Sequence, residues 1–371
     1  MSNAAPAMPS KILMTADPIG GVWTYALELA KALAPQGVEI ALATMGGAVS
    51  RERREELGTL PNVELCENRS RLEWMDEPWA DVQRSGEWLL DLAARFAPDV
   101  VHLNGFCHGA LPWPAPVLIV AHSCVLSWWA AVKAEAAPAR FDAYRRRVGE
   151  GLAAADWVAA PTAAMLASLE QNYGSIGRAR VIYNGRDPGR FTPGIKQPRI
   201  FSAGRLWDEA KNVRALDRAA PAVRWPISVA GDGEHPNGSQ VKLENVRGLG
   251  QLNADEMTSH FSESAIYALP ARYEPFGLSA VEAGLCGCAL VLGDIPSLRE
   301  VWDEAALFVA PDDEHALASA LNALIDDEGR RAELGRRARV RALEFSTQKM
   351  ALQYLAVYGA CLARQPLEVA A

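Results

Sequence analysis

Short apolar runs of strand length alternate with stretches of helical pattern along most of the chain, and this alternation most constrains the fold. Lys11 to Asp17, Val38 to Met45, Val63 to Glu67, Asp99 to Asn104, Val117 to His122, Trp157 to Ala160 and Arg180 to Tyr183 read as strands. Between them lie helical patterns: Val22 to Leu33 closed by Gly37, Arg51 to Leu57, one through Val82, Trp88, Leu92 and Phe96, one near Arg140 to Ala155, and Ala163 to Tyr173. Such repetition predicts a doubly wound parallel sheet. The pattern pauses at the turn formers of Asp187 to Gly194, then restarts at Arg199 to Gly204, with a helix near Val213 to Ala222 and further strands at Ile227 to Ala230, Val246 to Leu249, Ala265 to Leu269, Ala289 to Leu292 and Leu307 to Val309. At 371 residues the chain has enough length for two cores. The expectation is therefore an α/β protein of two Rossmann-like doubly wound domains facing a cleft, residues 1–190 and 191–346. After Pro311 the pattern is helical, and the last apolar helix, through Met350, Leu352, Tyr354, Leu355 and Tyr358, needs a surface to cover.

The net charge of -8 argues against nucleic acid as a default partner, since tracking a phosphate backbone needs an excess of Lys and Arg. It allows peripheral membrane contact at most, and no run approaches the length of a bilayer span. Met1 to Ser10 lacks the charged and apolar segments of a signal peptide, so a cytoplasmic location is expected. The six cysteines are scattered, and Cys286-Gly287-Cys288 has the wrong spacing for zinc knuckles or redox pairs; reduced, buried thiols are expected.

The most chemically loaded stretch runs from Glu274 to Glu282. It joins the strand Ala265 to Pro270 to a helix that starts near Leu278, so Glu274 lies in a loop at a strand's carboxyl end and Glu282 about two turns into the helix. Ligands of open α/β sheets bind outside those strand ends. A helix N-terminus there offers free N–H groups to an anion. Two carboxylates beside an anion-binding helix end suit a ligand that carries phosphates and hydroxyls together, such as a nucleotide sugar.

Four features now make a family resemblance specific. Gly20-Gly21 follows the first strand, Asn184-Gly185-Arg186-Asp187 lies at the linker, Gly204-Arg205-Leu206 is followed by Lys211-Asn212, and two glutamates are separated by seven residues. In this order, each at a strand end, they resemble the retaining glycosyltransferases of family 4, with the two-domain GT-B fold. The resemblance implies that a C-terminal helix, about 347–371, crosses back to the first domain. It implies that Arg205 and Lys211 neutralise the leaving phosphates, that Glu274 contacts the donor sugar, and that Glu282 accepts hydrogen bonds from the ribose. The amides of Gly277, Leu278 and Ser279, which follow Phe276, would meet the diphosphate, with the Phe276 ring read as packing. The family typically needs no metal, and the sequence has no Asp-x-Asp pair at a suitable strand end. No cofactor is expected beyond the donor substrate, by default UDP-glucose, with GDP-mannose and other donors open. The acceptor is a glycan, a lipid-linked group or a small molecule.

From the first domain, Gly20 and Gly21 let the backbone approach the phosphates or the acceptor. His122 stands where the family often has a histidine that touches the sugar. His102 and Asn104 are read as cleft lining or structure, with neither favoured. Arg186 replaces a small apolar residue common in the family, which points to an anionic acceptor or to a surface charge. Ala271-Arg272 replaces a small polar residue ahead of the first glutamate. Trp74, Trp79, Trp128 and Trp129 fall in segments read as irregular and are candidates for an acceptor wall. Two other classes stay open: a non-catalytic nucleotide-sugar-binding subunit, and another GT-B enzyme such as a phosphorylase or epimerase.

Overall fold

The computed structural model describes residues 8–18, 20–234 and 240–363. The last eight residues of the expected terminal helix lie outside them. The chain divides into two compact units: Met1–Ser127, Ala136–Gly185 and Thr347–Ala371 form the first, and Trp128–Glu135 with Arg186–Ser346 the second.

The first unit is built on seven parallel strands: β1 (Lys11–Ala16), β2 (Glu39–Thr44), β3 (Val63–Glu67), β4 (Val100–Leu103), β5 (Val117–Val120), β6 (Trp157–Ala160) and β7 (Ala179–Val181). Their spatial order is β3-β2-β1-β4-β5-β6-β7. Every residue of β4, β5 and β6 is buried, because a parallel sheet covered on both faces needs apolar side chains at successive positions. The helices are α1 (Gly21–Leu33), α2 (Arg51–Leu57), α3 (Trp79–Phe96), α4 (Val125–Lys133), α5 (Asp142–Ala154) and α6 (Ala163–Tyr173). Residues of α4 from Trp128 onward group with the second unit.

The second unit has six parallel strands: β8 (Gln197–Ala203), β9 (Ile227–Ala230), β10 (Arg247–Gly248), β11 (Ser264–Leu269), β12 (Ala289–Gly293) and β13 (Leu307–Val309). They lie in the order β10-β9-β8-β11-β12-β13. Its helices are α7 (Val213–Ala219), α8 (Ala254–Glu263), α9 (Leu278–Leu285), α10 (Pro296–Trp302), α11 (Glu314–Asp326) and α12 (Glu328–Ala342). The final helix, α13 (Thr347–Ala363), belongs to the first unit and packs on α1, β4 and β5. Met350, Tyr354, Val357 and Tyr358 supply its buried face, so the apolar terminal helix finds the surface it requires.

Three helices have no counterpart in the sequence reading. α4 carries Trp128 and Trp129, and Trp79 opens α3, so these three tryptophans stand on helices rather than in irregular segments. α8 is short and polar, held by a capping box in which Asn253 and Glu256 bond each other's backbone. α10 spans seven residues and starts at Pro296, which suits a first helical position.

Candidate functional site

In the second sheet the chain order reverses beside β8, whose neighbours are β9 and β11. The crevice outside the strand ends opens at such a point, and the loops leaving β8 and β11 border it. Gly231, with φ of 139°, lets β9 close on the loop after β8; a Cβ there would stand 1.8 Å from the Gly204 carbonyl oxygen. Gly204 leads to Arg205 and a short turn, Glu209–Lys211, while the β11 loop brings Glu274 to meet it. Lys211 Nζ donates to Glu274 Oε2 at 2.6 Å, with the side chains 15% and 13% exposed. A charged pair so far from water keeps its geometry because either charge alone would be uncompensated.

Beside this pair, Arg205 donates to Asp208 Oδ2 at 3.0 Å. Asp208 is buried and also accepts from the Ala210 amide at 3.0 Å and from Trp128 Nε1 at 3.0 Å. Burial pushes its carboxyl up, but Lys211, Arg205 and these hydrogen bonds outweigh that and hold it below the usual carboxylate range. Asp208 is absent from the sequence reading. Its signal was the Arg205-x-x-Asp208 spacing, which places a carboxylate one turn from a flagged arginine.

The first turn of α9 begins at Gly277, whose φ is 91°. The Ala280 and Val281 amides donate to the Gly277 carbonyl, at 3.0 and 3.1 Å. The amides of Gly277, Leu278 and Ser279 precede these first helical bonds and so stand at the positive end of the helix dipole. Phe276 is buried against Phe345 at 5.5 Å between ring centroids, which is a packing role. Ser279 Oγ accepts from the Tyr267 hydroxyl at 2.8 Å, and Ser297 Oγ donates to the Glu274 carbonyl at 2.5 Å. These two bonds fix the ends of the loop.

Glu282 is paired with Arg186, Nε to Oε1 at 2.8 Å, with side chains 13% and 8% exposed. The Arg186 guanidinium also lies over the Phe191 ring at 5.0 Å, and its amide donates to the Phe345 carbonyl. The surface-charge reading of Arg186 is thereby corrected: an arginine buried beside a carboxylate and an aromatic face is a structural partner of α9. Arg272 points at Asp312, 2.6 Å away, and Ala271 is fully buried beneath Gly293. Cys286 and Cys288 are both buried, and burial pushes the Cys286 thiol up to about 12.

In the first sheet the order reverses beside β1, between β2 and β4. Gly20, with φ of 89°, turns the chain into α1 from the end of β1, and α1 has no acidic residue in its first turn. Gly21 is the first residue of that helix. His122 follows β5, with its ring 4.4 Å from that of Tyr25 and its Nε2 2.8 Å from Asn104 Oδ1. Burial lowers its pKa to about 3, so the imidazole is neutral at pH 7. His102 is wholly buried, bonded to the Tyr358 hydroxyl at 2.7 Å, and burial likewise lowers it to about 3. It is structure, not lining. Trp74 is 39% exposed, while Trp79 stacks with Arg147 at 4.7 Å.

Residues 19–190 match the family model described as Glycosyltransferase Family 4, and residues 197–327 match that of Glycosyl transferases group 1. A D-inositol 3-phosphate glycosyltransferase of Xylanimonas cellulosilytica is 26% identical over an alignment covering 94% of this chain and 93% of that protein. The structure is similar to sucrose-phosphate synthase from Thermosynechococcus elongatus, with a TM-score of 0.80 at 20% identity, covering 96% of this chain and 100% of that one. Anabaena Alr3699/HepE in complex with UDP-glucose superposes with a TM-score of 0.75 at 19% identity, over 92% and 97% of the two chains. Two Rossmann-like units of this topology define the GT-B fold. The chain belongs to glycosyltransferase family 4. Among the described residues, no helix is long and apolar enough to cross a membrane.

Proposed function

We propose that this glycosyltransferase moves a sugar, by default glucose, from a UDP donor to an acceptor hydroxyl with retention of anomeric configuration and without a metal. The observation that carries the reading is the Lys211–Glu274 pair, set beside Arg205 and the N-terminus of α9 at the reversal point of the second sheet. Breaking a sugar-diphosphate bond puts negative charge on the leaving phosphate and positive charge on the anomeric carbon. Arg205 and Lys211 supply the cationic side, Arg as a fork and Lys as a point charge, and the amides of Gly277, Leu278 and Ser279 add oriented dipoles. Glu274 accepts from hydroxyls of the transferred sugar and Glu282 from the ribose, since a carboxylate is acceptor only. His122 is assigned to the sugar as well, and the Gly20-Gly21 turn leaves room for the phosphates or the acceptor. In the step itself the anomeric C–O bond breaks and the acceptor oxygen bonds the same face of that carbon. The acceptor proton passes to the departing phosphate oxygen. The UDP-glucose complex of Alr3699/HepE, a protein of the same fold, supports a nucleotide-sugar donor.

The test is turnover of UDP-glucose by purified protein, with the product anomer read by NMR and EDTA added in parallel. Lys211→Ala and Glu274→Ala should each lower kcat about 100- to 1,000-fold, the range for removing one group that stabilises transition-state charge. Undiminished turnover by both variants overturns the assignment, and an inverted product overturns retention. Loss of activity in EDTA that added metal restores overturns metal independence.

A further inference from the structure

Asn104 follows β4, and Thr15 fixes both its backbone and one edge of its side-chain amide. Its backbone N–H donates to Thr15 Oγ1 at 2.8 Å, and its Nδ2 donates to the Thr15 carbonyl at 2.6 Å. Flipping that amide would set two carbonyl oxygens against each other, so Oδ1 must face the other way. Two imidazole nitrogens converge on it: His122 Nε2 at 2.8 Å and His102 Nε2 at 3.2 Å. An amide oxygen can only accept, so each of these nitrogens carries its hydrogen.

The two rings then differ in what their second nitrogen does. At His102, Nδ1 accepts from the Tyr358 hydroxyl, and the ring is sealed in the core. His122 as a residue is only half-buried, and its ring packs edgewise on Tyr25. The ring is neutral at pH 7, so its Nδ1 keeps a lone pair.

We infer that Asn104 is a positioning residue that locks His122 as the Nε2–H tautomer, so that His122 presents Nδ1 as a hydrogen-bond acceptor and selects a donor sugar offering a hydroxyl hydrogen at that point. This rests on the assignment of His122 to the sugar. A group that is acceptor only, such as a carboxylate on the sugar, gains nothing there, and a deoxy position leaves Nδ1 without its partner.

The experiment uses the full chain labelled with ¹⁵N-histidine, whose two-bond ¹⁵N–¹H correlations report which ring nitrogen is protonated. Wild type should show His122 as the Nε2–H form. Asn104→Ala should give a mixture of tautomers and a roughly tenfold fall in kcat with UDP-glucose, the scale of one hydrogen bond. A set of monodeoxy UDP-glucose donors completes a cycle, in which the loss from removing one particular hydroxyl and the loss from Asn104→Ala are not additive. A purely structural role for Asn104 would leave every deoxy donor additive and so overturns the inference, as does a His122 tautomer unmoved by Asn104→Ala. Full turnover by His122→Ala would overturn the sugar assignment alone, because the tautomer is read without substrate. Should Asn104→Ala fail to fold, Asn104→Ser serves: its shorter side chain no longer reaches the His122 ring and sets no oxygen against the Thr15 carbonyl. An unchanged His122 tautomer in that variant overturns the lock.

Discussion

His102 and His122 set how the first unit responds to acid. Both are held neutral by burial, with pKa values of about 3 against 6.5 for a free imidazole. Below pH 6.5 the unfolded chain takes up protons that the folded chain refuses, so stability falls as pH falls from 6.5 towards 3 and is flat above 6.5. Each histidine contributes a slope of about 1.4 kcal/mol per pH unit in that window. Urea unfolding at pH 7, 6 and 5 measures it. His102→Gln should reduce the slope by about that amount, and an unchanged slope would show that His102 is not held neutral. Sequence could point to His122, since a polar residue ending an apolar strand is conspicuous. It could not settle His102, whose decisive partner, Tyr358, lies 256 positions away on α13. Asp208 was hidden for a related reason: its burial depends on Trp128 and on the fold of the Lys211 turn.

At the scale of elements, α9 is legible and its anchoring is not. The paired glutamates and the glycine before the helix mark the strand end and the helix start, and the structure places α9 from Leu278 to Leu285. The uniformly apolar β5 and β6 are equally plain, because strands buried on both faces carry no polar interruptions. α4 is not legible in the sequence, since Val125–Lys133 shows tryptophans in place of a clear polar face. The buried Arg186–Glu282 pair could not be read from either residue's surroundings in the chain, 96 positions apart. Removing one member strands a charge, so Arg186→Met should destabilise the second unit by about 3–5 kcal/mol. Replacing both by Met should recover most of that loss. Denaturant midpoints of the two variants decide the matter: a double variant as weak as the single one means that the guanidinium acts through Phe191 and the Phe345 carbonyl instead.

For the whole molecule, two sheets with separate cores divide the response to ligand between two units. The donor-binding groups proposed here, Arg205, Lys211, Glu274, Glu282 and the first amides of α9, all belong to the second unit. Uridine diphosphate carries the base, the ribose and both phosphates but no transferred sugar, so every side chain assigned to it lies in that unit, and the Gly20-Gly21 turn is the one first-unit segment proposed near its phosphates. At one hundred times its dissociation constant it stabilises what it binds by about 2.7 kcal/mol. Amide hydrogen exchange with saturating UDP should therefore slow at residues 204–212 and 274–285, while α13 and the strands of the first sheet keep their rates. Protection confined to the first unit would refute the donor assignment. Adding UDP-glucose in place of UDP extends the argument, since the sugar is the part of the donor assigned to a side chain of the first unit, His122. New slowing around residues 117–125 with UDP-glucose, absent with UDP, is the expected sign of His122 at the sugar, and identical patterns for the two ligands would remove His122 from the reaction.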